Sequence, residues 1–378
     1  MPEPAPVVMP EGNELRPLVQ QLHESASPWV PSGLGNHLHW GAPLQPNAGV
    51  VVSLARLKRV LHHAVEDFTI TVEAGLPIEE LQEVLAQQGQ WLPLDAPLAG
   101  ASSIGAVVAR GLSGSLQHRY RHLKDLLLGI TLLRSDGTYA KAGGKVVKNV
   151  AGYDLMRLFC GSWGSLGLIT ELTLRTMPLP QARRTVQIKG SLLQLQELRQ
   201  QLLLKSPLAL EFIEWHQGLE PPSLELGLVS LDETELQQQE NIISSQLSAG
   251  MELIFCGKKS QKYVADDRWL LRLGLKPVQV EALLKAPVSK GWQIQLGAAS
   301  GIGLAEANLS SMAPYKVEAL RRSCQELGGY LVVLQGPSEK PISAWGDVQS
   351  KQLIEAIKRE FDPLQQLCRG RLPGVAST

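Results

Sequence analysis

The reading of the fold turns on residues 143–171, GGKVVKNVAGYDLMRLFCGSWGSLGLITE. Paired glycines and two lysines, Lys145 and Lys148, open the stretch, and Ala151-Gly152-Tyr153-Asp154 and a short apolar run follow. Gly161, Gly164 and Gly167 stand three residues apart and lead into the strand pattern Leu168-Ile169-Thr170-Glu171-Leu172-Thr173-Leu174. Glycines at that spacing ahead of a β-branched strand let backbone approach something bulky and flat. A plain tight turn between helix and strand has the same spacing, so the surroundings must decide.

Toward the N-terminus the surroundings are rich in turn chemistry. Residues 1–27 read as a proline-rich arm followed by a helix over Glu14–Glu24, and a short strand then ends in Ser32-Gly33-Leu34-Gly35-Asn36-His37. Such a loop can turn several N–H groups inward as an anion-binding nest, and a diphosphate would suit it; a glycine-rich turn reads the same way. It is not a dinucleotide fingerprint, because Leu38 stands where the third glycine would fall. Strands are expected at 49–54 and 69–75, a turn or short helix at 57–61, and a helix from Ile78 to Gln88 behind Pro77. After Pro97, the run Ala101-Ser102-Ser103-Ile104-Gly105-Ala106 starts a further helix that Gly111 and Gly114 end. Serines there cap free N–H groups, and phosphate favours the same end. Asp125 sits in a turn before the strand 126–133, and Ser135-Asp136-Gly137-Thr138 closes a hairpin.

Whole-chain composition bounds the function. With 44% hydrophobic and 19% charged residues the chain is an ordinary globular protein, and 378 residues suffice for two domains. Zero formal net charge argues against nucleic acid as a partner. The start lacks the basic and apolar regions of a signal peptide, and no apolar run is long enough to span a bilayer, so a cytoplasmic location is expected, with peripheral attachment to the inner face of a membrane left open. Cys160, Cys256, Cys324 and Cys368 are scattered, which disfavours a zinc site or iron–sulfur cluster built by this chain and suggests buried free thiols.

SGLGN (32–36), TVEAG (71–75), Pro97 with SSIGAVVA (102–109), and KNVAGYDL with GSWGSLGLITELTL (148–174) stand in this order. Together they resemble the flavin-binding domain shared by vanillyl-alcohol oxidase, p-cresol methylhydroxylase and D-lactate dehydrogenase. The Lys-Asn-x-Ala-Gly-Tyr-Asp segment is most similar to the glycolate oxidase (glycolate dehydrogenase) complex, and within it to the shorter, FAD-binding subunit. The resemblance implies an α+β fold: a two-subdomain FAD-binding domain over 28–180, a cap-like domain with an antiparallel sheet over 181–350, and a segment, 351–378, that returns to the FAD domain. It implies FAD held by the 32–36 loop and His37, by Pro97, Ser102, Ser103, Gly105 and Ala106, by Gly111 and Gly114, by Gly152, Tyr153 and Asp154, and by Gly164, Gly167 and Ile169. Asp125 would reach the ribityl chain or serve only as a turn carboxylate. Lys145 or Lys148 would sit near flavin N1 or remain solvated. Relatives with covalent flavin carry a histidine where this chain has Asn36, so the implied FAD is noncovalent.

Beyond Pro180 helices and strands alternate as expected for the cap. The His- and Gly-rich cap motif of the larger catalytic flavin subunits does not occur. His216 is the lone histidine of 180–378 and reads as a surface-loop residue, so no His or carboxylate cluster offers a general base. Lys148 and Arg272 are the catalytic candidates, Arg272 either as a carboxylate partner or as a structural arginine on a strand. In the closing segment, Cys368-Arg369-Gly370-Arg371 stands where the family has Asn-Pro-Gly-Arg. The resemblance therefore implies an FAD-binding subunit that assists oxidation of a small 2-hydroxy acid, glycolate to glyoxylate, beside a larger catalytic flavin subunit and an iron–sulfur subunit. A self-sufficient D-lactate-type dehydrogenase and a structural subunit with a degenerate flavin site are the alternatives.

Overall fold

The computed structural model describes residues 5–44, 49–96, 101–144, 154–218, 221–256, 267–337, 342–346 and 348–373. The expectations at Pro97, Lys145, Lys148, Gly152 and Tyr153 lie outside the described residues. The chain divides into two units: one is built from 1–112, 122–179 and 347–378, the other from 113–121 and 180–346.

The first unit contributes β1 (Val7–Val8), β2 (Trp29–Ser32), β3 (Val50–Ser53), β4 (Val60–Ala64), β5 (Thr69–Glu73), β6 (Gln90–Trp91), β7 (Leu127–Leu133), β8 (Tyr139–Gly143), β9 (Leu168–Arg175) and β10 (Met177–Pro178). A small parallel sheet has the order β1-β3-β2, and an antiparallel sheet the order β4-β5-β9-β7-β8, with β6 and β10 paired apart. The glycine-spaced stretch before Leu168 thus leads into the central strand of the larger sheet. Every residue of β5 is buried, as are Leu168, Ile169, Leu172 and Leu174 of β9, which explains their near-continuous apolar and threonine composition. The helix Ile104–Arg110 starts where Ser103 Oγ accepts the N–H of Ala106 and stops at Gly111 in the left-handed conformation. The closing segment is anchored here too: Trp29 donates its N–H to Gln366, Cys368 donates its own to Trp29, and Leu367 bridges Trp29. Beneath it, Lys358 is buried with Asp362 at 2.5 Å and also donates to the carbonyls of Ser165 and Leu367. Burial lowers the affinity of this ammonium for its proton, and the carboxylate opposes that effect.

The second unit contributes β11 (Ala182–Lys189), β12 (Leu210–Gln217), β13 (Ser223–Ser230), β14 (Glu252–Cys256), β15 (Arg268–Gly274), β16 (Gln293–Gly297), β17 (Ile302–Asn308) and β18 (Tyr330–Gln335). They form one antiparallel sheet in the order β14-β11-β13-β12-β16-β17-β15-β18. Trp215, Trp269 and Trp292 are buried with leucines of the strands and of the helices Leu192–Leu204, Glu233–Ser245 and Pro314–Glu326. Burial of each such side chain contributes roughly 1.5–3 kcal/mol.

Two expectations fail here for clear reasons. The turn or short helix expected over 57–61 gives way at Val60 to the edge strand β4, because pairing with β5 outweighs the polar His62-His63 pair. His216 is not a loop residue. It lies on β12, two residues from Glu214 and on the same face, and Glu225 of β13 stands directly opposite Glu214. His216 Nε2 is 3.0 Å from Glu214 and 3.5 Å from Glu225. Ser115 and Gln295 also donate to Glu214. The sheet therefore assembles a His–carboxylate cluster from residues that look unrelated in sequence. Of the four cysteines, all free, only Cys324 and Cys368 are buried, while Cys160 and Cys256 are half-buried. Among the described residues no helix is long and apolar enough to cross a membrane.

Candidate functional site: a cationic cavity in the first unit

Three distant stretches converge on one cavity of the first unit, with about 800 Å³ of open space, solvent at its mouth included. Ser32, Gly33, Leu34, Gly35, Asn36 and His37 line one wall. Ser102, Ser103, Gly105 and Ala106 line a second, and Gly164, Gly167 and Ile169 a third. Parallel pairing of β2 with β3 fixes where the first loop leaves the sheet, and Ser53 Oγ donates to Gly33 O at 2.8 Å. Loop 32–36 and the serine turn touch closely enough that a Cβ on Gly33 would fall 2.0 Å from Ser103 Oγ. Asn36 Nδ2 donates to Ala101 O at 2.7 Å and closes the same seam. On the third wall Gly164 has φ +72°, a conformation natural to glycine, and Trp163 beside it is held at φ +54°.

Other expected contacts lie elsewhere. Gly111 packs against the backbone of Gly161 and caps its helix, which is a packing role rather than a place on the cavity wall. Gly114 falls in the second unit. Asp125 and Asp154 both pair with Arg157, at 3.5 and 3.1 Å, in a partly exposed ion-pair cluster, and neither lines the cavity. Arg272 stands on β15 of the second unit, half-buried, in register with Leu304 and Val332. Helix-start serines prove less available to a ligand than their sequence suggests, because Ser103 is spent on its own cap.

Three further residues line the cavity, two from the closing motif 368–371 and one, Arg110, that the sequence does not signal. Arg371 from the closing segment donates to the carbonyls of Leu38 and Ala42, both at 2.7 Å, and to that of Trp40. Cys368 lines the same wall. Arg110, at the end of the apolar helix, donates Nη2 to Ser102 Oγ at 2.6 Å and Nε to Ala106 O, with its guanidinium 5.0 Å from the Trp40 ring centroid. Its Nη1 is buried and has no hydrogen-bond partner among the described residues. Burial pushes Arg110 down to about 10, which leaves it charged at neutral pH. His37 Nδ1 is 3.2 Å from the same Ser102 Oγ, and burial, then Arg110 and His39, push it down to about 4, so the ring is neutral. The described lining includes two arginines and neither Asp nor Glu.

The family model for the FAD binding domain matches residues 4–143. These residues form an FAD-binding domain. The chain is 38% identical over 179 residues to mitochondrial D-lactate dehydrogenase [cytochrome] of Arabidopsis thaliana, a match covering 47% of this chain and 31% of that protein. It is 30% identical over 194 residues to Glycolate oxidase subunit GlcE of Escherichia coli, covering 49% and 55%. D-2-hydroxyglutarate dehydrogenase of Xanthomonas citri is 33% identical over 180 residues, covering 47% and 38%. The chain thus spans about a third to just over half the length of these relatives. A solved alkyldihydroxyacetonephosphate synthase superposes with a TM-score of 0.69 at 15% identity, covering 97% of this chain and 76% of that one. The fold is therefore of the p-cresol methylhydroxylase type: an FAD-binding domain of two subdomains with an α+β cap domain.

The residues present fit FAD. Glycines let the walls pack closely around the cavity, and its described lining, with buried cations and no carboxylate, suits an anionic ligand. Ser32 to His37, Ser102 to Ala106, and the Gly164–Ile169 wall are the segments that would hold it.

Proposed function

We propose that this chain is the FAD-binding subunit of a glycolate dehydrogenase (oxidase) complex that oxidises a small 2-hydroxy acid. Similarity to Glycolate oxidase subunit GlcE and to dehydrogenases of D-lactate and D-2-hydroxyglutarate supports the substrate class. The observation that carries the reading is the convergence of 32–37, 102–106 and 164–169 on a carboxylate-free cavity. Bound FAD supplies a hydride acceptor at its ring. The chain's own residues orient the cofactor: Arg371 fixes the loop 38–42 through three carbonyls, and the Asn36–Ala101 bond joins the two loops. The FAD is noncovalent in this proposal, since Asn36 occupies the attachment position and His37 is engaged with Ser102. A larger catalytic flavin subunit and an iron–sulfur subunit complete the assembly, in the cytoplasm or at the inner face of a membrane.

Purification of the chain alone and with candidate partner chains tests this. The proposal expects acid-extractable FAD near one per chain, no glycolate-dependent dye reduction by the chain alone, and activity on reconstitution. Turnover by the chain alone would replace it with the self-sufficient D-lactate-type dehydrogenase, and a chain that takes up no FAD would leave only a structural role.

A further inference from the structure

We propose that Arg110 is the counter-charge of the cofactor's diphosphate, with Nη1 donating to a phosphate oxygen and Nη2 kept on Ser102. The inference rests on the reading that the cavity holds FAD. Three features of the molecule carry it. Arg110 is 7% exposed yet has Nη1 without a hydrogen-bond partner among the described residues, while the other arginine of the described lining, Arg371, is held by three carbonyls. A buried cation without an anion is costly, and an arriving anion removes that cost. Through Ser102, Arg110 sits at the seam where the Gly33–Gly35 loop packs on the serine turn, and it lines the cavity there. Finally, among the described residues no other charge competes at this position, because His37 on the far side of Ser102 is neutral above about pH 4. With Nη2 on Ser102 and Nε on Ala106, the guanidinium plane is fixed and holds Nη1 in one direction, which suits a phosphate oxygen better than a flexible lysine would. Diphosphate, not ring, is the target because it is the one group of FAD that is charged in both redox states.

The test titrates apo-protein with oxidised FAD and, without oxygen, with dithionite-reduced FAD, following flavin fluorescence and absorbance. Arg110→Gln is expected to weaken both forms equally, by about 10- to 100-fold, the worth of a charged hydrogen bond. Arg110→Lys should recover part of the loss and keep the salt dependence that Arg110→Gln abolishes. Cooperative unfolding of each apo variant shows that the fold persists. Unchanged FAD affinity in Arg110→Gln overturns the inference and leaves the FAD reading standing. A loss confined to reduced FAD also overturns it, since that would place the guanidinium on the ring. Failure of the unaltered protein to bind FAD defeats both.

Discussion

Two sites, one in each unit, bury charge in opposite ways. On the polar face of β12 and β13 the buried charges are carboxylates, and the fold brings donors to them: Ser115, Gln295 and His216 to Glu214, and Tyr120 and Arg183 to Glu211. In the cavity of the first unit the buried charges are cations, and no carboxylate among the described residues lines the wall. Answered charge fixes strand register and helps specify the sheet. Charge left without an anion in a cavity marks the place where a ligand supplies one. The excursion 113–121 underlines the difference, since its role in the second unit is to deliver Ser115 and Tyr120 to those carboxylates.

Substitutions should separate the two kinds of burial. The largest effect is expected for Arg371→Gln, which takes a charged donor from three backbone carbonyls; a loss of about 3 kcal/mol or more in urea unfolding is the prediction, and FAD affinity should fall with it because the loop loosens. Arg110→Gln should instead lose ligand affinity out of proportion to stability. If the two arginine variants behave alike, the distinction between an answered and an unanswered cation collapses. Glu214→Ala leaves Ser115, Gln295 and His216 without their shared acceptor and should cost about 1–3 kcal/mol by the same measurement.

A smaller effect concerns pH. His37 is held at about 4 in the folded protein against 6.5 ordinarily, so the unfolded chain takes up the proton first. Its contribution to stability is complete above pH 6.5 and is lost as pH falls through about 4. For a half-buried ring this amounts to about 1–2 kcal/mol. Melting temperatures across that window should fall less steeply in His37→Gln. Smallest of all, Tyr120→Phe removes one donor from Glu211, which keeps Arg183, and should cost about 1 kcal/mol or less. The Tyr120 phenol is pushed up to about 12, by burial first and then by Glu211, so this loss should not vary below pH 10.

Much of this was legible in the chain because local chemistry and tertiary role coincide. Gly33 and Gly164 are glycines for reasons of close approach and backbone conformation that a sequence displays, and Ser103 caps the helix its position announces. β17 has little local signature, because Ala305 and Ala307 have little strand preference and pairing with β15 and β16 decides their conformation. His216 was misread because its partner Glu225 reaches it across a strand pair, a relation set by register.

Through its resemblance to known flavin domains the sequence determined the two-subdomain α+β plan, and glycine placement and capping serines, which act within a few residues of one another, marked the three backbone segments that meet at one cavity. Only the tertiary structure decided which charges are answered. Arg110, Ser102 and His37, or Glu214, Glu225 and Ser115, come together through long-range packing, and the energy of a buried charge depends on partners that no local pattern names.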